Sequence, residues 1–307
     1  MINATRFDVG SPFGAPEGIP GFFADPDLHI FNGTYWLYAT TDGRPDWSAT
    51  SFHAFSSADL VHWTDWGEVF DVRSSGWAHG YAWAPGVTER GGSYYLYYTA
   101  DQGSIGVAIA SSPTGPFVDI GRPLVADGAF PGRAIDPSVF ADDDGRYFLY
   151  WGNTVLHAVE LGADMTEISP NRVQSWMPRS FREAGWVHRY RDLYYLSWSV
   201  DDTRSENYRV EYASGPGPLG PWTSHGTLLE KNPGEGVLAT GHHSIVKLPD
   251  VEEWVIAYHR FAIPDGDGYR REIRFDRLTH ERAGTIARVV PSTTRFARPL
   301  SISRQSH

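Results

Sequence analysis

One segment occurs five times along this chain, and that repetition limits the possible folds more than anything else in the sequence. The copies are Thr34-Tyr-Trp-Leu-Tyr-Ala-Thr40, Ser93-Tyr-Tyr-Leu-Tyr-Tyr-Thr99, Arg146-Tyr-Phe-Leu-Tyr-Trp-Gly152, Leu193-Tyr-Tyr-Leu-Ser-Trp-Ser199 and Glu253-Trp-Val-Ile-Ala-Tyr-His259. Their central residues, Leu37, Leu96, Leu149, Leu196 and Ile256, are spaced 59, 53, 47 and 60 residues apart. Aromatic and branched residues without polar alternation describe a strand buried on both faces. A period of this length is that of a propeller blade. A turn dipeptide precedes each copy: Asn32-Gly33, Gly91-Gly92, Asp144-Gly145, Arg191-Asp192 and Pro249-Asp250. Asn-Gly and Asp-Gly favour tight hairpins.

Before each turn the sequence predicts a first strand: Leu28 to Phe31, Gly86 to Glu89, Ser138 to Ala141, Trp186 to Arg189 and Ser244 to Leu248. Two more β-like stretches follow each central strand. Examples are His53 to Ser57 with Gly67 to Phe70, and Gly106 to Ala110 with Arg122 to Val125. Four strands in each of five units give an all-β, five-bladed β-propeller around a central channel. The competing architecture is a β-sandwich, whose turns recur at shorter spacing. No domain boundary is visible, so residues 1–307 read as one domain. Gly215 to Pro221 and Ser111 to Phe117 read as loops between outer strands.

Composition narrows the function. With 12 Trp, 16 Tyr and 16 Phe beside 32 Gly and 21 Pro, the chain is rich in both strand and turn formers. It has no cysteine, which excludes a disulfide framework and thiolate chemistry. Its 26 basic against 37 acidic residues, a net charge of -11, argue against a nucleic-acid binder. No apolar run reaches the ~18 residues of a membrane span. Met1 to Phe13 shows no basic segment followed by an apolar one, so the expected location is cytoplasmic.

Aligned on their central strands, the units place Asp25, Ala84, Asp136, Glu183 and His242 at one position, just before the first strand. Inner strands line the channel, so equivalent positions converge at one end of it. Three carboxylates and an imidazole there admit two chemistries. One is a hard-cation site. The other is paired-carboxylate acid/base catalysis, as in glycoside hydrolysis. An isolated Asp-Pro would be read only as a strand start. Glu206 reads as a solvated loop residue, and His242 is preferred over its neighbour His243. Asp142-Asp-Asp-Gly145 reads as a hairpin turn, not a calcium loop.

These motifs in order, Asp25-Pro26, Trp83-Ala-Pro85, Ile135-Asp-Pro137, Arg182-Glu-Ala184 and Gly241-His-His-Ser244, resemble family 43 glycoside hydrolases. The resemblance runs from about Phe22 to Val289-Val-Pro-Ser292. It implies a five-bladed propeller that hydrolyses arabinofuranosyl and xylosyl linkages of plant polysaccharides with inversion. It implies Asp25 as general base and Glu183 as general acid. Asp136 would raise and orient the acid, and His242 would lie near an axial cation, often calcium, held through waters. Many relatives have Gly-Pro after the acid, where this chain has Ala184-Gly185. Inverting enzymes hold acid and base roughly 6.5–9.5 Å apart, a gap that positions in the first and fourth blades suit.

Trp83 is the first candidate for a sugar platform. Trp77, His79 and Tyr81 lie in the loop before it, with Gly76 and Gly80 allowing a tight path, and Trp47 lies in another such loop. In relatives an arginine at the place of Arg271 reaches the sugar hydroxyls, a task that suits its fixed donors. Asn153 is a weaker candidate. The loops 42–51 and 74–82 could wall a pocket, which points to an exo-acting α-L-arabinofuranosidase on arabino-oligosaccharides. A β-xylosidase, or a dual enzyme, is the alternative. An endo-arabinanase comes next, then the fructan-cleaving propellers, whose motifs are absent. A non-catalytic carbohydrate-binding propeller is the rival from another class.

Overall fold

A computed structural model describes residues 19–249, 251–294 and 296. The leader reading at Met1 to Phe13, and Asp250 of the fifth turn, lie outside the described residues. Nineteen strands form five antiparallel sheets. The first sheet contains β1 (Phe23–Phe31), β2 (Thr34–Thr41), β3 (Ser51–Ser57) and β4 (Thr64–Asp71). The second contains β5 (Trp83–Arg90), β6 (Ser93–Ala100), β7 (Ser104–Ala110) and β8 (Val118–Asp119). The third contains β9 (Ser138–Ala141), β10 (Tyr147–Trp151), β11 (Leu156–Glu160) and β12 (Gln174–Trp176). The fourth contains β13 (Glu183–Tyr190), β14 (Leu193–Val200), β15 (Arg209–Gly215) and β16 (Thr223–Leu229). The fifth contains β17 (Gly241–Lys247), β18 (Trp254–Phe261) and β19 (Arg271–Leu278).

The inner strands β1, β5, β9, β13 and β17 touch in that order, and β17 touches β1. The ring is a five-bladed β-propeller. Two details differ from the sequence expectation. Among the described residues the fifth blade has three strands, and the chain beyond β19 returns to blade four, where Val289 N–H bonds Leu228 O at 2.8 Å. The outer strand of blade two is Val118–Asp119, while Val125 of the expected stretch makes one bridge to Ile105.

The five repeats are the central strands, and Leu37, Leu96, Leu149, Leu196 and Ile256 are all fully buried. Their rings and branches form five wedges, each between two neighbouring blades. Truncating one such leucine to alanine costs about 2–5 kcal/mol. The last wedge joins Phe23, Leu28 and Leu37 of blade one to Val255, Ala257 and Ile273 of blade five, so hydrophobic packing closes the ring.

Each inner strand carries an irregularity where it enters the channel. Asp25, Ala84, Asp136, Ala184 and His242 all have positive φ, between 42° and 58°. In β1, β5, β13 and β17 a register shift falls at this residue. A left-handed non-glycine residue costs roughly 1–2 kcal/mol. The preceding blade offsets this with a hydrogen bond. Ala84 N–H donates to Thr40 Oγ1 (2.7 Å), Asp136 N–H to Thr99 Oγ1 (3.0 Å) and His242 N–H to Ser199 Oγ (2.9 Å). Asp25 N–H lies 3.2 Å from His259 Nδ1, across the closure. The accepting side chains belong to the last residues of the repeated segments. The remaining segment ends in Gly152, which has no side chain to offer.

This geometry corrects the alignment of the fourth unit. The equivalent of Asp25 is Ala184, and Glu183 stands one residue earlier, level with Trp83. The site residues also lie within the inner strands or at their entry, at the bulge rather than before it.

Candidate active site

One pocket of about 120 Å³ opens at this end of the channel. It is lined by Asp25, Asp136, Glu183, His242 and Arg271 below, and by Trp47, Trp83, Arg133, Arg182 and residues 202–204 around the mouth. The volume is well under the ~300 Å³ at which drug-sized pockets begin, so the space suits one sugar ring. Trp83 Nε1–H donates to Trp47 O (2.7 Å), and Trp47 Nε1–H donates to Gly268 O (2.8 Å). These bonds tie loops of blades one, two and five into one wall. Trp47 has φ 53°, a strained conformation of the kind that persists where the surroundings enforce it.

Asp25 is buried and gathers three partners on Oδ1: His242 Nδ1 at 3.1 Å, His259 Nδ1 at 3.1 Å and Arg271 Nη1 at 3.2 Å. Burial alone would raise its pKa. The charges of Arg271 and His242, with hydrogen bonds from His242 and His259, outweigh burial and hold the carboxyl well below its usual range. Arg271 is itself fixed by Asp42, through Nε (2.8 Å), Nη2 (3.2 Å) and its backbone N–H (3.0 Å). Its Nη1 also reaches Thr203 Oγ1 at 3.1 Å. Four of its five side-chain donors are thereby used.

Glu183 is buried in a different setting. Tyr208 Oη–H donates to Oε1 and Asn153 Nδ2–H to Oε2, each at 2.9 Å. Arg182 Nε lies 3.6 Å from Oε2. Burial raises its pKa against the pull of His242, Arg182 and the Tyr208 hydrogen bond. Asp136 is pushed up to about 7, by burial first and then by the charges of Glu183 and Asp25, with His242 opposing. Two carboxyls are thus shifted upward and a third downward, the separation an acid/base pair needs. His242 is held at about 9 despite its burial, by Asp25 and Asp136. It is an imidazolium among carboxylates.

The expected residues therefore divide. Asp25, Asp136, Glu183, His242, Arg271 and Trp83 come together, as do Trp47 and, through Glu183, Asn153. Trp77 and His79 do not line the pocket. Trp77 donates to Asp119 Oδ1 (3.0 Å) and stacks on Tyr98 within the wedge between blades one and two. His79 is exposed and paired with Asp101 at 3.0 Å. The loop path brings Trp83 to the pocket while turning Trp77 into the wedge and His79 to solvent. Tyr81 lies edge-on to Trp83. Glu206 is exposed and paired with Lys231, and Asp142 to Gly145 is a hairpin turn. Sequence reasoning missed Asp42, Thr203, Tyr208 and His259. The signal for His259 was its place at the end of a repeat otherwise closed by Thr, Ser or Gly.

A directly ligated cation does not fit His242. Its Nδ1 faces Asp25, and no group of three or more His, Asp or Glu among the described residues is arranged to hold a metal. Calcium also prefers oxygen ligands.

A buried, pKa-separated carboxyl set at the floor of a small pocket is the arrangement that carboxylate-pair glycoside hydrolysis requires. The family model for glycosyl hydrolases family 43 matches residues 18–286. The chain is 35% identical to the β-D-galactofuranosidase XynD of Aspergillus niger, over 87% of this chain and 82% of that one. It is 28% identical to a xylosidase/arabinosidase of Bacteroides ovatus, over 87% and 95%. A β-xylosidase/α-arabinofuranosidase from a compost metagenome, solved with xylotriose in a calcium-free form, superposes with a TM-score of 0.78. It is 29% identical, covering 91% of this chain and 98% of that one. An α-L-arabinofuranosidase of Clostridium thermocellum gives 0.73 at 31% identity, covering 88% and 94%. The chain belongs to glycosyl hydrolase family 43.

Proposed function

We propose that this glycosidase is an exo-acting, inverting α-L-arabinofuranosidase that releases single arabinose units from hemicellulose- or arabinan-derived oligosaccharides. The observation that carries the reading is the one-ring pocket closed by Trp47, Trp83 and Arg204 above the carboxyl set. A wall tied across three blades supports a pocket for a terminal unit over an open cleft.

In this reading Asp25 is the general base. It is ionised throughout the neutral range and takes a proton from water as the water attacks the anomeric carbon. Glu183 is the general acid and gives its proton to the departing oxygen. Asp136, sharing the buried floor, disfavours ionisation of Glu183 by its own negative charge. Arg271 and His242 hold the base in place and balance its charge. The water-bridged calcium implied by resemblance remains a separate proposal, and no step here runs through it.

A β-xylosidase activity is supported by the relatives named for it. The 35% identity to a β-D-galactofuranosidase favours a further reading. A β-D-galactofuranosyl ring has the ring stereochemistry of an α-L-arabinofuranosyl one and bears an extra hydroxymethyl group on its side arm. Turnover of the aryl α-L-arabinofuranoside, β-D-xyloside and β-D-galactofuranoside decides among them. The arabinofuranoside is expected to give the highest kcat/KM, and a higher value for either rival refutes the assignment. Proton NMR of the first-formed anomer tests inversion.

A further inference from the structure

We infer that Tyr208 is a positioning residue for the acid, its hydroxyl holding Oε1 of Glu183 and so fixing how the carboxyl faces the pocket. The inference rests on Glu183 being the general acid. Tyr208 comes from the loop between β14 and β15 and is completely buried, with Oη–H donating to Glu183 Oε1 at 2.9 Å. Its ring lies parallel to His259, 5.5 Å between centroids and 5° between planes, and His259 in turn touches Asp25. The glycine of Gly241-His-His-Ser244 makes room for this ring, because a Cβ at Gly241 would run into it. Tyr208 is thus wedged beneath both the acid and the base.

Burial and the nearby charge of Glu183 keep the Tyr208 phenol well above its usual pKa, so it stays a neutral donor. Asn153 Nδ2–H holds the other oxygen, Oε2, also at 2.9 Å, so the carboxyl is gripped at both oxygens and cannot turn freely about its own axis. Tyr208 is the partner that reaches it from within the protein, wholly out of solvent.

The test compares wild type, Tyr208→Phe and Glu183→Ala on two substrates of the preferred sugar. One is an oligosaccharide, whose departing oxygen needs a proton. The other is the 2,4-dinitrophenyl glycoside, whose leaving group does not. Tyr208→Phe keeps the ring and the packing. It is expected to lose about tenfold to a hundredfold in kcat on the oligosaccharide, the size expected for a hydrogen bond to a charged group. It should stay within about twofold on the dinitrophenyl glycoside. The basic limb of its kcat/KM profile moves to higher pH, because a donor that favoured the carboxylate is gone. Equal losses on both substrates, or an unmoved basic limb, overturn the inference while Glu183→Ala still discriminates between the substrates. If Glu183→Ala does not discriminate, the acid assignment fails and the inference fails with it.

Discussion

His242 and His243 are consecutive in β17, and the fold charges one and leaves the other neutral. Successive residues of a strand face opposite sides. His242 turns to Asp25 at 3.1 Å and is held protonated to about 9. His243 turns into the wedge between blades four and five, with Nε2 2.6 Å from Ser197 Oγ, and burial pulls it down to about 3. Nearby, His188 and His280 share one hydrogen between their Nε2 atoms at 2.9 Å, and both are held neutral. Residue type settles nothing here. His242, buried against Asp25 and Asp136, becomes the site's cation, and His243, buried against a hydroxyl, becomes packing.

The largest break in this comparison comes from the carboxyls that make His242 charged. Asp25→Asn, or Glu183→Gln on an oligosaccharide, should lower kcat by about 10²–10⁴, the usual share of acid/base catalysis, read by steady-state kinetics. Next is His242→Gln, which removes the cation and keeps a polar side chain. Without that charge the pKa of Asp25, Asp136 and Glu183 all rise, so both limbs of the kcat/KM profile move to higher pH. A loss of about tenfold to a hundredfold at neutral pH is expected, and an unshifted bell would show that His242 does not set the field.

The neutral side is probed by acid. The folded pKa of His243, about 3, lies below its unfolded value of about 6.5. Its contribution is therefore complete above about 6.5 and is lost as pH falls toward 3. At pH 5 the loss is about 2 kcal/mol, or roughly 4 °C in Tm. His243→Asn should flatten that part of the Tm-versus-pH curve, and an unchanged slope would count against it. Smallest of all, His79→Ala and Trp77→Phe should leave kcat/KM within about twofold. Trp77→Phe should still cost about 1 kcal/mol of stability, for its lost bond to Asp119, in a denaturant titration.

The blades were legible because a strand buried on both faces must be apolar throughout, and five copies of that pattern survive in the sequence. Asp25, Asp136 and His242 were legible because they interrupt the repeats at one place. Glu183 was found at the cost of a one-residue misalignment, since a bulge inserts a residue that spacing cannot distinguish from a shift. Asp42, Thr203, Tyr208 and His259 were not legible. Their roles depend on contacts between blades far apart in sequence, such as the 246 residues separating Arg271 from Asp25. Trp77 and His79 misled because proximity to Trp83 along a loop says nothing about which way a side chain turns.

The closure of the ring has a consequence for synthesis. Asp25 leaves the ribosome early, whereas His242 and Arg271, whose charges balance it, and His259, which meets its bent backbone, are made more than two hundred residues later. Until the last blade arrives, Asp25 is an unbalanced carboxylate at an open edge. A nascent chain lacking β19 has no Arg271, however well its first four blades have formed. The floor of the pocket is thus complete only once the fifth blade has met the first.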